Sequence, residues 1–318
     1  LDKKQKLLVL IGPTAVGKTK TSIELAAGFN GEIISGDSMQ IYKGMDIGTA
    51  KIREDEMQGI PHHLIDIKNP EDSFSAAEFQ QLVREKIAEI ASRGKLPVIV
   101  GGTGLYIQSV IYDYQFSDVP SDPDFRLELE RTADEKGAEA VHAQLRKVDP
   151  ESAERIHPNN VRRVIRALEI HHCTGKTMTE YQEQQDAELL YDTCLVGLTM
   201  DRELLYERIN MRVDLMMEQG LLDEVKALYA KGLRDCQSIQ AIGYKELYDY
   251  LDGRLGLEDA IENLKQNSRR YAKRQLTWFR NKMNVEWFTM PIDGAEAEKK
   301  IAEISGYIEG KLQIKANT

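Results

Sequence analysis

The sequence predicts an α/β protein, a P-loop-containing parallel sheet flanked by helices, with a small helical insertion. Three observations predict it. From residue 7 to about 111, strand-length apolar runs alternate with segments of helical periodicity, the pattern of βα units that builds a parallel sheet. The first run, Leu7-Leu8-Val9-Leu10-Ile11, passes into Gly12-Pro13-Thr14-Ala15-Val16-Gly17-Lys18-Thr19, of the form G-x-x-x-x-G-K-[ST]. Between about 116 and 190 the strand pattern disappears, and it returns at Thr193. The division that follows is a core of residues 1–115 and 191–318 and an insertion of 116–190.

The glycine-rich loop leads into a helix from Lys18, then a strand at Glu32–Ser35 and, after a long polar segment, a strand at Leu64–Ile67. Ser75 followed by Glu78 is a capping-box signature, and Phe79, Leu82, Val83, Ile87 and Ile90 recur at helical spacing as far as Gly94. Leu96–Val100 is the fourth strand. In the insertion, Asp122-Pro123 is an N-cap followed by proline at the first helical position. Val141, Leu145 and Val148 mark a second helix, and Val161, Val164, Ile165 and Leu168 a third that ends before Gly175. Thr193–Thr199 is a returning strand. Helices follow at Leu204–Met217, Leu221–Tyr229 and Leu257–Met283, then an edge strand at Val285–Phe288 and a charged amphipathic tail.

Composition narrows the class. The formal net charge of -10 gives no general attraction to nucleic acid, so such a partner must meet a local basic patch. Cys173, Cys194 and Cys236 form no C-x-x-C pair, which argues against a disulfide framework or a zinc site and fits a reducing, cytoplasmic setting. No apolar run approaches membrane-spanning length.

In the glycine-rich loop, successive N–H groups and the helix N-terminus point at a phosphate chain, and Lys18 adds a full charge. The Thr19 hydroxyl is placed to ligate Mg²⁺. Ligands of such sheets gather at the carboxyl ends of strands, which makes Asp37, Asp66 and Thr103 candidates for one cleft. Asp37 reads equally as a turn cap. His62 and His63, adjacent in an extended segment, point to opposite sides and are better read as structural hydrogen-bonding residues than as a metal pair. Arg208 and Arg212, one helical turn apart, either clamp a phosphate or pair with carboxylates.

Two basic clusters stand against the acidic background. Arg162, Arg163 and Arg166 share one helix, and Asn263–Asn284 carries Lys265, Arg269, Arg270, Lys273, Arg274, Arg280 and Lys282 with Tyr271, Trp278 and Phe279 and no acidic residue. Local charge with aromatics is the footprint of nucleic-acid binding. A solvated helix face with inward aromatics is the alternative.

Gly12–Thr19, Ser35-Gly36-Asp37-Ser38-Met39-Gln40-Ile41-Tyr42, Gly44-Met45-Asp46-Ile47-Gly48-Thr49-Ala50-Lys51, Pro61-His62-His63-Leu64-Ile65-Asp66, Gly101-Gly102-Thr103-Gly104-Leu105-Tyr106, Arg166-Ala167-Leu168-Glu169 and Ala272-Lys273-Arg274-Gln275-Leu276-Thr277-Trp278 together resemble the tRNA dimethylallyltransferases. The resemblance runs from about residue 7 to 288. Gly36 departs from it where alanine is frequent, and Arg162 where glutamine often stands.

The resemblance implies transfer of a dimethylallyl group from dimethylallyl diphosphate to N6 of the adenosine immediately 3′ of the anticodon, with Mg²⁺ as cofactor. It places the pyrophosphate on Gly12, Pro13, Thr14, Ala15, Val16, Gly17, Lys18 and Thr19, with Arg208 and Arg212 as further neutralising charges. Asp37 becomes the general base and Thr103 its partner at the amine. Ser38, Met39 and Gln40 read the region of the extruded base. Arg126, Arg162, Arg163, Val164, Ile165 and Arg166, with Arg269, Arg270, Lys273, Arg274 and Gln275, grip the tRNA anticodon stem-loop. A monomer is favoured. The alternatives are an ATP-dependent phosphotransferase, which leaves both basic clusters unexplained, and an RNA-binding protein with a vestigial loop, against which the complete loop and Asp37 argue.

Overall fold

A computed structural model describes residues 4–114, 122–183, 188–292 and 294–317. The chain divides into two compact units, Leu1–Tyr112 with Leu189–Thr318, and Asp113–Glu188. The junction expected between 115 and 116 lies outside the described residues.

The first unit opens with β1 (Lys6–Ile11), α1 (Lys18–Gly28), β2 (Gly31–Gly36), β3 (His62–His63), α2 (Ala76–Ser92), β4 (Leu96–Gly101) and α3 (Gly104–Ile111). The second unit contains α4 (Pro123–Lys136), α5 (Ala138–Val148), α6 (Pro150–Arg155), α7 (Val161–Thr174) and α8 (Met178–Glu183). The chain then returns to the first unit with β5 (Asp192–Thr199), α9 (Arg202–Glu218), α10 (Leu221–Ala230), α11 (Tyr244–Leu251), α12 (Leu257–Lys282), β6 (Glu286–Thr289) and α13 (Ala295–Leu312).

The six strands are ordered β3-β2-β4-β1-β5-β6, and every neighbouring pair is parallel. The apolar run of β1 is continuous because both of its faces are buried. Leu7, Val9 and Ile11 face one core with Phe79, Val83, Tyr244 and Phe279. Leu8 and Leu10 face the other with Ile23, Leu205, Ile304 and Ile308. β1 lies between β4 and β5, where the strand order reverses, so its carboxyl end opens at the crevice in which such sheets bind ligands.

Local capping follows the sequence. Ser75 Oγ accepts the Glu78 N–H at 3.1 Å, while the Glu78 carboxylate turns away to Lys68 at 2.7 Å, so the capping box is half formed. The strand expected at Leu64–Ile67 lies earlier and is only two residues long. Leu64 and Asp66 have φ of 61° and 55°, left-handed conformations that no strand contains. At the opposite end of β2, buried Glu32 meets His63 at 2.7 Å, Arg93 at 2.7 Å and Lys95 at 3.1 Å.

The second unit has its own core of Leu129, Val141, Leu145, Val164, Ile165 and Leu168. Asp122 and Asp149 cap α4 and α6, accepting the Phe125 and Ser152 N–H groups at 3.0 Å each. Both caps precede a proline at the first helical position, where its missing N–H costs nothing.

Candidate active site

The loop between β1 and α1 fits only with glycines at its two ends. A Cβ on Gly12 would lie 2.7 Å from the Leu198 carbonyl oxygen of β5, and Gly17 enters α1 at φ 99°. Lys18 Nζ donates to the carbonyls of Gly12 at 2.9 Å and Pro13 at 2.7 Å, so the ammonium lies across the mouth of the loop. Burial and the nearby Arg212 push Lys18 down to about 7, against the pull of Asp37.

α9 brings both arginines to this place. Arg208 donates through Nε to the Ala15 carbonyl at 3.0 Å and through Nη1 to Ile292 at 3.2 Å. Arg212 is lowered by burial, while Asp37 raises it and Arg208 lowers it. Neither arginine forms an ion pair with a carboxylate among the described residues, so of the two sequence readings the geometry favours a clamp. Lys18, Arg208 and Arg212 border one cavity of about 520 Å³ with Thr19, Asp37 and Tyr271. Two arginines and a lysine whose charged form is penalised by burial and by Arg212, facing one carboxylate, make a site short of negative charge, the electrostatic condition for holding an anion such as a diphosphate.

Asp37 follows β2 directly. Its Oδ1 accepts the N–H of Met39 at 2.7 Å and of Gln40 at 3.4 Å, so it is a turn cap and a member of the site at once. The Ser38 N–H donates to Thr103 Oγ1 at 3.3 Å, tying the turn after β2 to the one after β4. Gln40 is held on both sides of its amide, accepting from Ser35 Oγ at 3.0 Å and donating to the carbonyls of Thr49 and Ala50 at 3.3 and 3.4 Å. A second cavity of about 330 Å³ is bordered by Ser38, Met39, Ile242, Gly243, Lys245 and Arg274. Thr14, Asp37, Thr49, Arg212 and Tyr271 border both cavities. Asp37 therefore stands where a chamber lined by Lys18, Arg208 and Arg212 meets a second chamber.

Several expected site residues are placed otherwise. Asp66 does not join Asp37 and Thr103, because its carboxylate is bound by Lys51 at 2.5 Å. Gln275 is 6% exposed and faces inward, accepting the Thr14 N–H and donating to the Gly102 carbonyl, each at 3.0 Å. Val164 and Ile165 are core residues, 0% and 3% exposed, so their side chains are not on the surface that an RNA could touch. Arg126 and Arg166 are held at 2.6 and 2.5 Å by Glu169, whose side chain is fully buried. Arg162 and Arg163 are exposed.

On α12, Arg269 donates to Asn210 at 2.5 Å, whereas Arg270, Lys273 and Arg274 are exposed. The aromatics of that helix face inward. Phe279 is fully buried, Trp278 packs on Gly104 so closely that a Cβ there would lie 2.2 Å from its ring, and Tyr271 faces Thr103 and Gln275, its hydroxyl raised to about 12 by burial and the Asp37 charge. The two histidines have the structural roles read from their spacing: His62 Nδ1 meets the Ile60 carbonyl at 2.8 Å and His63 Nε2 meets Glu32 at 2.7 Å.

Sequence reasoning missed the clamp on the Met45–Thr49 segment. Glu224 of α10 accepts the N–H groups of Asp46, Ile47 and Gly48 at 2.9, 2.8 and 3.1 Å and the Tyr244 hydroxyl at 2.5 Å. It also missed the Gln240–Lys245 stretch of the second cavity. Glu224 carried no signal as one acid among many, but Gly243, with φ 100°, was a turn marker that could have drawn attention to its neighbours.

The chain is similar to known proteins over nearly its whole length. Residues 40–282 match the family model described as IPP transferase. The chain is 68% identical over 315 residues to a tRNA dimethylallyltransferase of Bacillus cereus (strain B4264), covering 99% of this chain and 98% of the relative. It is 66% identical over 315 residues to one of Bacillus anthracis, covering 99% of each. Among solved structures, it is similar to the full-length tRNA isopentenylpyrophosphate transferase of Bacillus halodurans, with 58% identity, a TM-score of 0.74 and coverage of 98% and 97%. It is also similar to a eukaryotic dimethylallyltransferase described as acting on tRNA, with 32% identity, a TM-score of 0.81 and coverage of 99% and 81%. A phosphate loop whose cations face a strand-end aspartate is thus found in a chain that belongs to the IPP transferase family, that of the tRNA dimethylallyltransferases.

Proposed function

We propose that this chain transfers the dimethylallyl group of dimethylallyl diphosphate to N6 of the adenosine immediately 3′ of the anticodon in tRNA, releasing pyrophosphate. The observation that carries the reading is the place of Asp37 between two chambers, one bordered by Lys18, Arg208 and Arg212 and the other by Ser38, Met39 and Arg274. Diphosphate enters the first and the extruded adenine the second.

In the reaction the allylic C1–O bond breaks, the N6–C1 bond forms, and one N6 proton passes to Asp37. The N6 lone pair is delocalised into the ring, so a carboxylate that accepts its hydrogen bond and then its proton contributes about 10²–10⁴ in rate. Lys18, Arg208 and Arg212 stabilise the charge that grows on the departing oxygen. Thr103, bound to the Ser38 N–H, holds the turn that carries Asp37. Extrusion is required because a stacked base cannot reach a site below the surface.

Magnesium fits as a ligand of the loop with the diphosphate. Among the described residues no group of three or more His, Cys, Asp and Glu could hold a metal, and Mg²⁺ commonly takes one or two protein ligands with substrate phosphates and water. Thr19, which borders the first cavity, would be the protein ligand. When bound, the ion neutralises diphosphate charge. Exposed Arg162 and Arg163 on α7, and Arg270, Lys273 and Arg274 on α12, supply the basic strips for RNA in an acidic chain.

The test is incubation with unmodified tRNA, Mg²⁺ and labelled dimethylallyl diphosphate. Label in the RNA at the adenosine next to the anticodon is the expected result. No transfer, together with phosphate release from ATP, would replace this reading by a phosphotransferase.

A further inference from the structure

We propose that Gln275 is a positioning residue for the phosphate loop and not a contact to RNA. The proposal deepens the prenyl-transfer reading, on which it rests for the identity of the diphosphate.

Tyr271, Gln275 and Trp278 are spaced i, i+4, i+7, so they share one face of α12. That face is directed at Gly102–Gly104 and at the phosphate loop, away from the exposed Lys273 and Arg274. The carboxamide of Gln275 joins two segments far apart in the chain, accepting from Thr14 N–H at 3.0 Å and donating to the Gly102 carbonyl at 3.0 Å. Gly102 is shaped to it, since a Cβ there would lie 2.0 Å from Gln275 Nε2.

The consequence runs through one peptide plane. Thr14 N–H and the Pro13 carbonyl belong to the same trans peptide and point in opposite directions. The N–H is held by Gln275 and the carbonyl accepts from Lys18 Nζ at 2.7 Å. Gln275 thereby sets the rotation of the Pro13–Thr14 plane, and with it where the ammonium lies before a diphosphate arrives. Without Gln275 the plane turns freely, the loop amides lose their common direction, and Lys18 loses one of its two anchors.

The experiment uses the full chain and inorganic pyrophosphate as probe. Gln275→Ala should weaken pyrophosphate binding about tenfold, the loss of roughly one buried hydrogen bond. It should raise KM for dimethylallyl diphosphate in step, with kcat changed less and the tRNA Kd kept within about twofold. Gly102→Ala should move the same quantities in the same direction with Gln275 intact. On a Lys18→Ala background, Gln275→Ala should cost much less than it does alone, which a general loss of packing would not produce.

Unchanged pyrophosphate affinity in both single variants overturns the proposal, as does a tRNA Kd that rises as much as the pyrophosphate Kd. If Gln275→Ala does not melt as a folded protein, Gln275→Glu, which keeps the acceptor for Thr14 but loses the donor to Gly102, and Gly102→Ala decide the question. Absence of label transfer to tRNA by the unaltered protein would count against the prenyl-transfer reading, while pyrophosphate binding would still judge Gln275.

Discussion

Asp37 Oδ1 accepts the backbone N–H of Met39 at 2.7 Å. One carboxylate therefore both shapes the turn after β2 and borders both cavities, where the proposed reaction makes it the base, and two substitutions separate these roles. Asn can still cap the turn but cannot take a proton, so Asp37→Asn should lower kcat by about 10²–10⁴ with the melting temperature and tRNA Kd unchanged. Asp37→Ala should lose activity and about 1 kcal/mol of stability as well. Single-turnover transfer and thermal melting read the two effects, and an Asn variant of full activity would remove Asp37 as base.

Glu32 is predicted to make folding sensitive to acid. Burial alone would raise its pKa, but hydrogen bonds from His63, Lys95 and Arg93 outweigh it and bring the carboxyl down from 4.5 to about 2. A carboxyl depressed on folding contributes stability that is complete above its unfolded value and is lost as pH falls toward its folded one. The window is about pH 4.5 to 2, and the contribution at neutral pH is about 3 kcal/mol. Denaturant titrations at several pH values should show a flatter acid limb for Glu32→Gln, together with lower stability at pH 7.

Glu224 should be worth more than its half-buried place on α10 implies. Its removal leaves the N–H groups of Asp46, Ile47 and Gly48 and the Tyr244 hydroxyl without their acceptor, and hydrogen bonds to a charged group contribute roughly 1.5–3 kcal/mol each when counted singly. Glu224→Ala should lower the melting temperature by several degrees, and Tyr244→Phe, which removes one of the four, by clearly less. Equal losses would mean that the Tyr244 hydroxyl bond to Glu224, and not the three backbone N–H groups, carries the effect.

Salt dependence should sort the arginines. Arg162 and Arg163 are exposed, so replacing either by Ala should weaken tRNA binding and reduce the slope of log K against log salt by about one. Arg126→Ala and Arg166→Ala should instead destabilise the fold of the second unit, because each leaves buried Glu169 short of a partner. Binding measured between 50 and 200 mM salt, beside melting curves, distinguishes the two classes.

The sequence carried the sheet and the loop clearly for a physical reason. Continuous apolar runs such as Leu7–Ile11 can be satisfied only between two helical layers, and the spacing of Gly12, Gly17, Lys18 and Thr19 has few other uses. Short, turn-like elements were less legible: β3 moved from Leu64–Ile67 to His62–His63 because left-handed residues interrupt an apolar stretch. Side-chain direction on α12 was legible only in part. Charge and aromatic content gave the basic strip, but nothing in composition says that Gln275 and Trp278 look inward while Lys273 and Arg274 look out. The acceptor role of Glu224 was hidden because it depends on the fold bringing α10 to a loop far earlier in the chain.

Trp278, pressed against Gly104 at the start of α3 and one turn beyond Gln275, has a buried indole N–H with no hydrogen-bond partner among the described residues. The chain has two tryptophans, and the other, Trp287, lies on the edge strand β6. A Trp287→Phe protein therefore has a single tryptophan, placed next to Gln275, which bonds Thr14 of the phosphate loop. Its emission would turn the enzyme into its own optical sensor, registering the arrival of pyrophosphate in real time without any attached label.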